Sequence, residues 1–218
     1  KLLNSSSHCV MESTGYYHLL LANFLANEDL LVSVENPLAV KRFIQMHLSR
    51  IKTDKSDAKM IRQYGQQTTM RLWKAQSVNR VSSLQLMSLI NQYTKQCTAL
   101  KNKLKGEEAL GLPVKSVVSS LKRSLKYLQN EIDQLEERLL KLVKSEHQDL
   151  LTRIESITGL GRKTAMILIV LTEGFEKFEH SSQLCSFAGI TPIIRQSGSS
   201  IHSRPRMSKM GNRRLRQL

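Results

Sequence analysis

Acidic residues are missing from the end of this chain: none occurs after Glu179. Cysteine is scarce and unpatterned. Cys9, Cys97 and Cys185 lie far apart, with no CxxC and no Cys/His spacing. That argues against a zinc site or a disulfide framework and suits a reducing cytoplasm. No apolar run is long enough to span a membrane, and no stretch has the pattern of a signal peptide, so a membrane partner is not expected. The chain opens on Lys1 rather than Met and closes in a basic run, from which we expect residues beyond both ends.

Basic charge is what the sequence has in excess. The formal charge is +15 over 218 residues, with hydrophobic residues at 40%, enough for a packed core. The excess is uneven: +4 in residues 1–76, +4 in 77–150 and +7 in 151–218. A basic surplus gathered at one end fits a polyanionic partner, because each neutralised phosphate releases counterions.

Three segments differ in pattern. Residues 1–76 alternate strand and helix: CVMES as a strand end, TGYYHLLLANFLANED as a helix, LLVSVEN as a strand, and a helix opened by Pro37 and running to about Leu48. This is the pattern of part of an α/β sheet with crossover helices. Residues 77–150 are helical. Val114, Val118, Leu121, Leu125, Leu128, Ile132, Leu135, Leu139 and Leu142 follow a heptad seam, and Ile90, Tyr93, Cys97, Leu100 and Leu104 repeat at the same steps. Gly106, Gly111 and Pro113 separate the two runs, which predicts a coiled-coil hairpin whose second arm is about 50 Å long. Residues 151–218 read as a compact helical piece followed by a basic loop. The expected class is therefore α/β plus α.

Three constellations carry chemistry. In ITGLGRKTA, Gly159 and Gly161 flank a leucine, and Arg162 and Lys163 follow at the start of a buried helix. Glycine permits positive φ and close approach of backbone to phosphate, and a helix N-terminus offers free amides. The pattern resembles a helix-hairpin-helix element that grips DNA backbone, and an ordinary tight helix–helix turn uses the same residues. In KTDKSDAK, Asp54 and Asp57 share one helix face, where they suit either a hard cation or a capping arrangement with Asp54 as N-cap. Glu12, at a strand end, is the third acid of a possible magnesium cluster. The stretch RQSGSSIHSRPR sets Ser197, Ser199, Ser200 and Ser203 among Arg195, Arg204 and Arg206. Any of these serines suits a nucleophile or a simple phosphate-binding hydroxyl.

The segments VMESTGYY, VSVENPLAVKRF, KTDKSDAK, ITGLGRKTA, FAGITP, RQSGSS and RMSKMGNRRLR, in this order, resemble the DEDD insertion-sequence transposases related to the Piv DNA invertase. The resemblance implies a RuvC-like, RNase H-type domain (1–76) with a set of four magnesium-binding acids. It also implies a coiled-coil arm (77–150) and a C-terminal transposase domain (151–218) bearing a serine nucleophile. By motif, Glu12, Asp54 and Asp57 match the second, third and fourth acids, and Ser197 matches the serine. The first acid belongs to a GIDVSK-type strand that is not present in this chain, and the family continues past RRLR. The implied activity is magnesium-assisted DNA transposition or inversion, directed in some members by a structured bridge RNA. The implied site is composite, with the acids of one domain meeting the serine of the other across subunits of a dimer or tetramer. Gly159, Gly161, Arg162, Lys163, Arg195, Arg204, Arg206, Lys209, Arg213 and Arg214 are the expected nucleic-acid contacts. A non-catalytic DNA- or RNA-binding remnant of such an enzyme fits the same residues.

Overall fold

The computed structural model describes the chain except residues 1–2, 5, 16, 48–52, 195, 198–200, 203 and 209; at 196–197 and 201–202 it describes the backbone alone. The described part is mostly helical with small sheets, and it divides into two compact units, Lys1–Gln76 and Ser77–Leu218.

The first unit is a strand–helix–strand followed by two helices. Strand β1 (His8–Glu12) pairs in parallel with β2 (Leu31–Glu35), and helix α1 (Tyr17–Asn27) connects them. Ala22 and Leu25 of α1 bury against Val32 of β2, with Trp73 packed on the cluster. Trp73 also donates its backbone N–H to Val32 O at 2.7 Å. The hydroxyl of Ser33 is fully buried yet satisfied: it donates to Arg71 O and meets His8 Nε2, both at 2.8 Å. Helix α2 (Pro37–Met46) opens as the sequence predicts, with Pro37 in the first turn and Asn36 capping Leu38 N at 2.8 Å. Leu48, where the sequence places the end of that helix, lies outside the described residues. Helix α3 (Asp54–Gln67) lies directly on β1: a Cβ at Gly65 would stand 2.9 Å from Val10 Cγ2.

The α3 cap differs from the expectation. Thr53, not Asp54, is the N-cap, and its side chain closes a capping box with Ser56. Asp54 is the first helical residue. Threonine takes the cap because it accepts the third-residue amide while staying extended, which leaves Asp54 and Asp57 as charges on the helix's positive end.

The second unit is built on a long hairpin. Helix α4 (Val78–Ala109) and helix α5 (Lys115–Glu155) pack along the expected seam, with Met87, Ile90 and Cys97 meeting Ile132, Leu135 and Leu139 in one core. Toward the tip, Leu121, Leu125 and Leu128 are only half-buried. At the base the buried position is Val143, and Leu142 is only half-buried. The reason is helix α6 (Arg162–Thr172), which buries Ala165, Met166, Ile169 and Val170 in the same core and draws the buried face of α5 toward itself. Helix α5 continues to Glu155, and its base shares one core with α6.

One break interrupts α5, at His147 (φ −136°, ψ 37°). Opposite it, the chain leaves α6 through three successive left-handed residues, Glu173, Gly174 and Phe175. Gly174 faces the His147 ring so closely that a Cβ would stand 2.8 Å from Cε1. Arg80 of α4 ties down the same turn by an ion pair to Glu173 and a 3.2 Å hydrogen bond to Val170 O. Burial lowers the Arg80 pKa, with Glu173 pulling it back up.

Leu139 is 2% exposed at the centre of this core. Leu139→Ala is expected to cost about 2–5 kcal/mol, read as a lower urea midpoint with an unchanged slope.

Candidate functional site

The candidate acids lie in the first unit. The register of the two parallel strands sets Glu12 directly beside Glu35, each the last residue of its strand. Sequence reasoning missed Glu35. The available signal was that VME and VSVE each close on an acid, which matters once the strands are known to pair. The hydroxyl of Tyr64, on α3, donates to Glu35 Oε2 at 3.4 Å. Burial, and then the Glu35 carboxylate, hold that phenol's pKa above its ordinary value. Asp54 (exposed) and Asp57 (half-buried) occupy the first turn of α3.

Glu12 lines a cavity of about 730 Å³ flanked by β1, α1 and α3, with His8, His18 and Arg62 among its walls. The Nδ1 of His18 is buried without a hydrogen-bond partner. Asp54 and Asp57 are not among the residues lining this cavity. Glu12, Asp54 and Asp57 have the hard-oxygen chemistry of a magnesium set. Among the described residues, however, no three His, Cys, Asp or Glu side chains gather closely enough to hold a metal ion.

The basic constellations lie in the second unit. The ITGLGRKTA turn joins α5 to α6. Gly159 needs its left-handed backbone (φ 94°), whereas Gly161 caps α6 at an ordinary φ of −77°. A Cβ on either would meet nothing within 4 Å, so this face of the turn is open. The two basic side chains turn back onto α5. Arg162 Nε donates to Glu155 Oε1 at 2.8 Å, and Lys163 pairs with Glu136. These pairs brace α6 against α5 and balance the local charge, although both side chains remain more than half exposed.

Beyond helix α7 (Ser181–Ala188) the chain forms a ribbon of two nested antiparallel ladders. Strand β3 (Pro192–Ile193) pairs with β6 (Arg206–Met207), and inside them β4 (Gln196–Ser197) pairs with β5 (Ile201–His202). Ser197 stands opposite Ile201 in the inner ladder. Arg195, Ser199, Ser200, Ser203 and Lys209 lie outside the described residues. Arg204, Arg206 and Arg213 are exposed.

Arg214 has a different place from its neighbours. Its Nη1 donates to Met87 O of α4 at 2.9 Å, and burial lowers its pKa. It anchors helix α8 (Arg213–Arg216) to the hairpin, and Arg216 does the same toward α7 through Ala188 O at 3.1 Å.

Two glycines lock the ribbon's ends together. At Gly211 (φ 151°) a Cβ would fall 2.5 Å from Phe187 O, and at Gly189 (φ 73°) 2.8 Å from Met210 O. Asn212 N donates to Phe187 O at 2.7 Å across this crossing, and Ser208 N donates to Thr191 O at 3.1 Å. FAGITP and the MGNRR run are therefore two halves of one clasp.

A DEDD-type transposase domain matches residues 2–107, and the transposase of the IS116/IS110/IS902 family matches residues 151–218. The chain carries the transposase domains of the IS110 family, and the DEDD domain matched over residues 2–107 implies a RuvC-like fold. Among individual relatives, the pilin gene-inverting protein of Moraxella lacunata is 29% identical over 214 residues, covering 97% of this chain and 65% of that protein. The transposase for insertion sequence element IS1111A of Coxiella burnetii is 25% identical, covering 96% of this chain and 63% of that protein. The chain thus spans slightly less than two thirds of the length of these relatives. No helix among the described residues is long and apolar enough to cross a membrane.

Gly211→Ala is expected to open the clasp, because the added methyl runs into the Phe187–Gly189 backbone. The stability loss should exceed about 1 kcal/mol, with limited proteolysis newly cutting within residues 192–207.

Proposed function

We propose that this chain works as a DNA transposase or site-specific recombinase in which Ser197 is the nucleophile. The observation that carries the reading is where Ser197 falls. It occupies a short paired ribbon with no acidic residue, whose returning side carries the exposed Arg204 and Arg206, inside the segment matched by the IS110-type transposases. Relatives named for gene inversion and for transposition support the same reaction class.

The chemistry follows from the residue types. The serine oxygen attacks a DNA phosphorus, an O–P bond to the protein forms, and the bond to one DNA strand breaks to leave a free hydroxyl on that strand. The hydroxyl proton of serine goes to a base, and the departing oxygen takes one up. The phosphoserine link conserves the phosphodiester bond energy, so the reverse attack by a strand end rejoins DNA without a high-energy cofactor. Arg204 and Arg206 neutralise the charge that gathers on the phosphoryl oxygens, with Arg195 and Lys209 as further candidates. Arg213 and the amides at the start of α6, Gly161–Lys163, hold backbone phosphates. Arg214 serves the fold.

Magnesium belongs to this reading, with Glu12, Asp54 and Asp57 the acids that would hold it once brought together. Because these acids are not gathered into a closed set, the steps above use only the chain's own residues. A structured guide RNA, assembly into a homo-oligomer through the helical arm, and a cytoplasmic setting complete the proposal. A second reading, a nucleic-acid-binding remnant without catalysis, is favoured by that same dispersal of the acids.

One experiment separates the two. The protein is incubated with magnesium, its flanking non-coding RNA and the element's junction DNA, and covalent protein–DNA adducts are resolved on a denaturing gel. The recombinase reading expects an adduct that Ser197→Ala abolishes while DNA binding stays within about threefold. Adducts that survive the substitution rule out Ser197. No adduct with the unaltered protein, despite binding, favours the remnant.

A further inference from the structure

We infer that the distal end of the α4–α5 hairpin is a docking surface for single-stranded DNA. The inference rests on the proposed DNA recombination only for its choice of DNA; the surface itself is argued from charge, exposure and periodicity.

Charge is segregated along α5. From residue 109 to residue 130 there is no acidic residue, whereas Lys115, Lys122, Arg123 and Lys126 are all basic and exposed. None of these four has an ion-pair partner among the described residues. The remaining part, residues 131–155, carries seven acids against four bases. An ordinary solvated helix face mixes its signs; this helix sorts them.

The basic residues also fall in line. Lys115, Ser119, Lys122 and Lys126 recur at steps of four, three and four, so one face presents a cation or hydroxyl at every turn. They border a shallow groove of about 500 Å³ floored by Pro113 and Val118. The repeat of one turn, about 5.4 Å, is of the order of the step between phosphates in an extended strand. A second concavity, of about 430 Å³, lies beside it between Arg123 and Tyr127, with Ser124 and Leu128.

The occupant must be more than a phosphate ladder. Tyr127 is 64% exposed, and the tip displays Leu112 at 90% and Val114 at 57%. Duplex DNA offers its backbone to such a surface but keeps its base faces stacked inside. An unpaired strand offers both, phosphates for the lysines and apolar base faces for the tyrosine and the tip. Strand breakage and exchange is a reaction that generates unpaired strand.

The test uses the chain carrying Ser197→Ala, so that binding is read without cleavage and catalysis is judged separately by the adduct experiment. A fluorescent oligothymidine of about 20 nucleotides is titrated by anisotropy across a salt series. Replacing Lys122, Arg123 and Lys126 by Gln should weaken binding and reduce the log–log salt slope by about 2. Tyr127→Ala should weaken it roughly tenfold and leave the slope unchanged. The charge-matched control replaces Arg138, Lys141 and Lys144, on the mixed part of α5, by Gln and should leave the slope close to its starting value. Circular dichroism checks that the helices persist in every variant. The inference is overturned by equal losses in the two triple variants, by an unchanged slope in the first, or by tighter binding of duplex DNA or oligouridine through the same residues.

Discussion

Burial of one apolar seam, α4 against α5 with α6 across its base, is the constraint on which the second unit depends. Neither long helix would hold its shape alone, because each exposes most of its surface and buries only a narrow stripe. Once Ile132, Leu135, Leu139 and Val143 are covered, α6 has a fixed seat. Arg162 and Lys163 then find Glu155 and Glu136 within reach. The same frame supplies the carbonyl of Met87 that receives Arg214, and through α8 the clasp that holds the basic ribbon. The candidate nucleophile thus owes its position to hydrophobic contacts made along the arm.

Much of this is legible in the sequence because periodicity is local information. The seam, the two parallel-strand segments, the Asn36–Pro37 start and the breaks near Gly111 and Pro113 each follow from residues within a few positions of one another. The α3 cap falls one residue away from where the sequence alone would put it. Both threonine and aspartate can cap, and only the backbone geometry decides which stands outside the helix. Near the base the heptad pattern names Leu142 where Val143 is buried, since a third helix, invisible to a two-helix repeat, draws that face.

The site is less legible, because its determinants are long-range. Nothing local links Arg162 to Glu155, Lys163 to Glu136 or Arg214 to Met87, so basic residues that look alike in a row divide into braces and free cations only in three dimensions. Glu35 is the converse case: its position beside Glu12 depends on strand register, which the sequence does not print. Gly211 reads as a generic turn residue until Phe187 O is found in the space a side chain would need. The acids of the magnesium reading remain recognisable by type and motif, whereas their gathering is a matter of distance.

The break at His147 has a mechanical consequence. From there to the start of α5 at Lys115 the helix runs about 48 Å at its regular rise. At that lever length a rotation of about 5° at the break carries the hairpin tip ~4 Å sideways. The pivot is wedged by Gly174, in a turn that is not part of the arm, and held by Arg80 from the arm's other helix. Small adjustments in the three left-handed residues after α6 would therefore be magnified into displacements the size of a side chain at the far end, so the aim of the tip is set from its root.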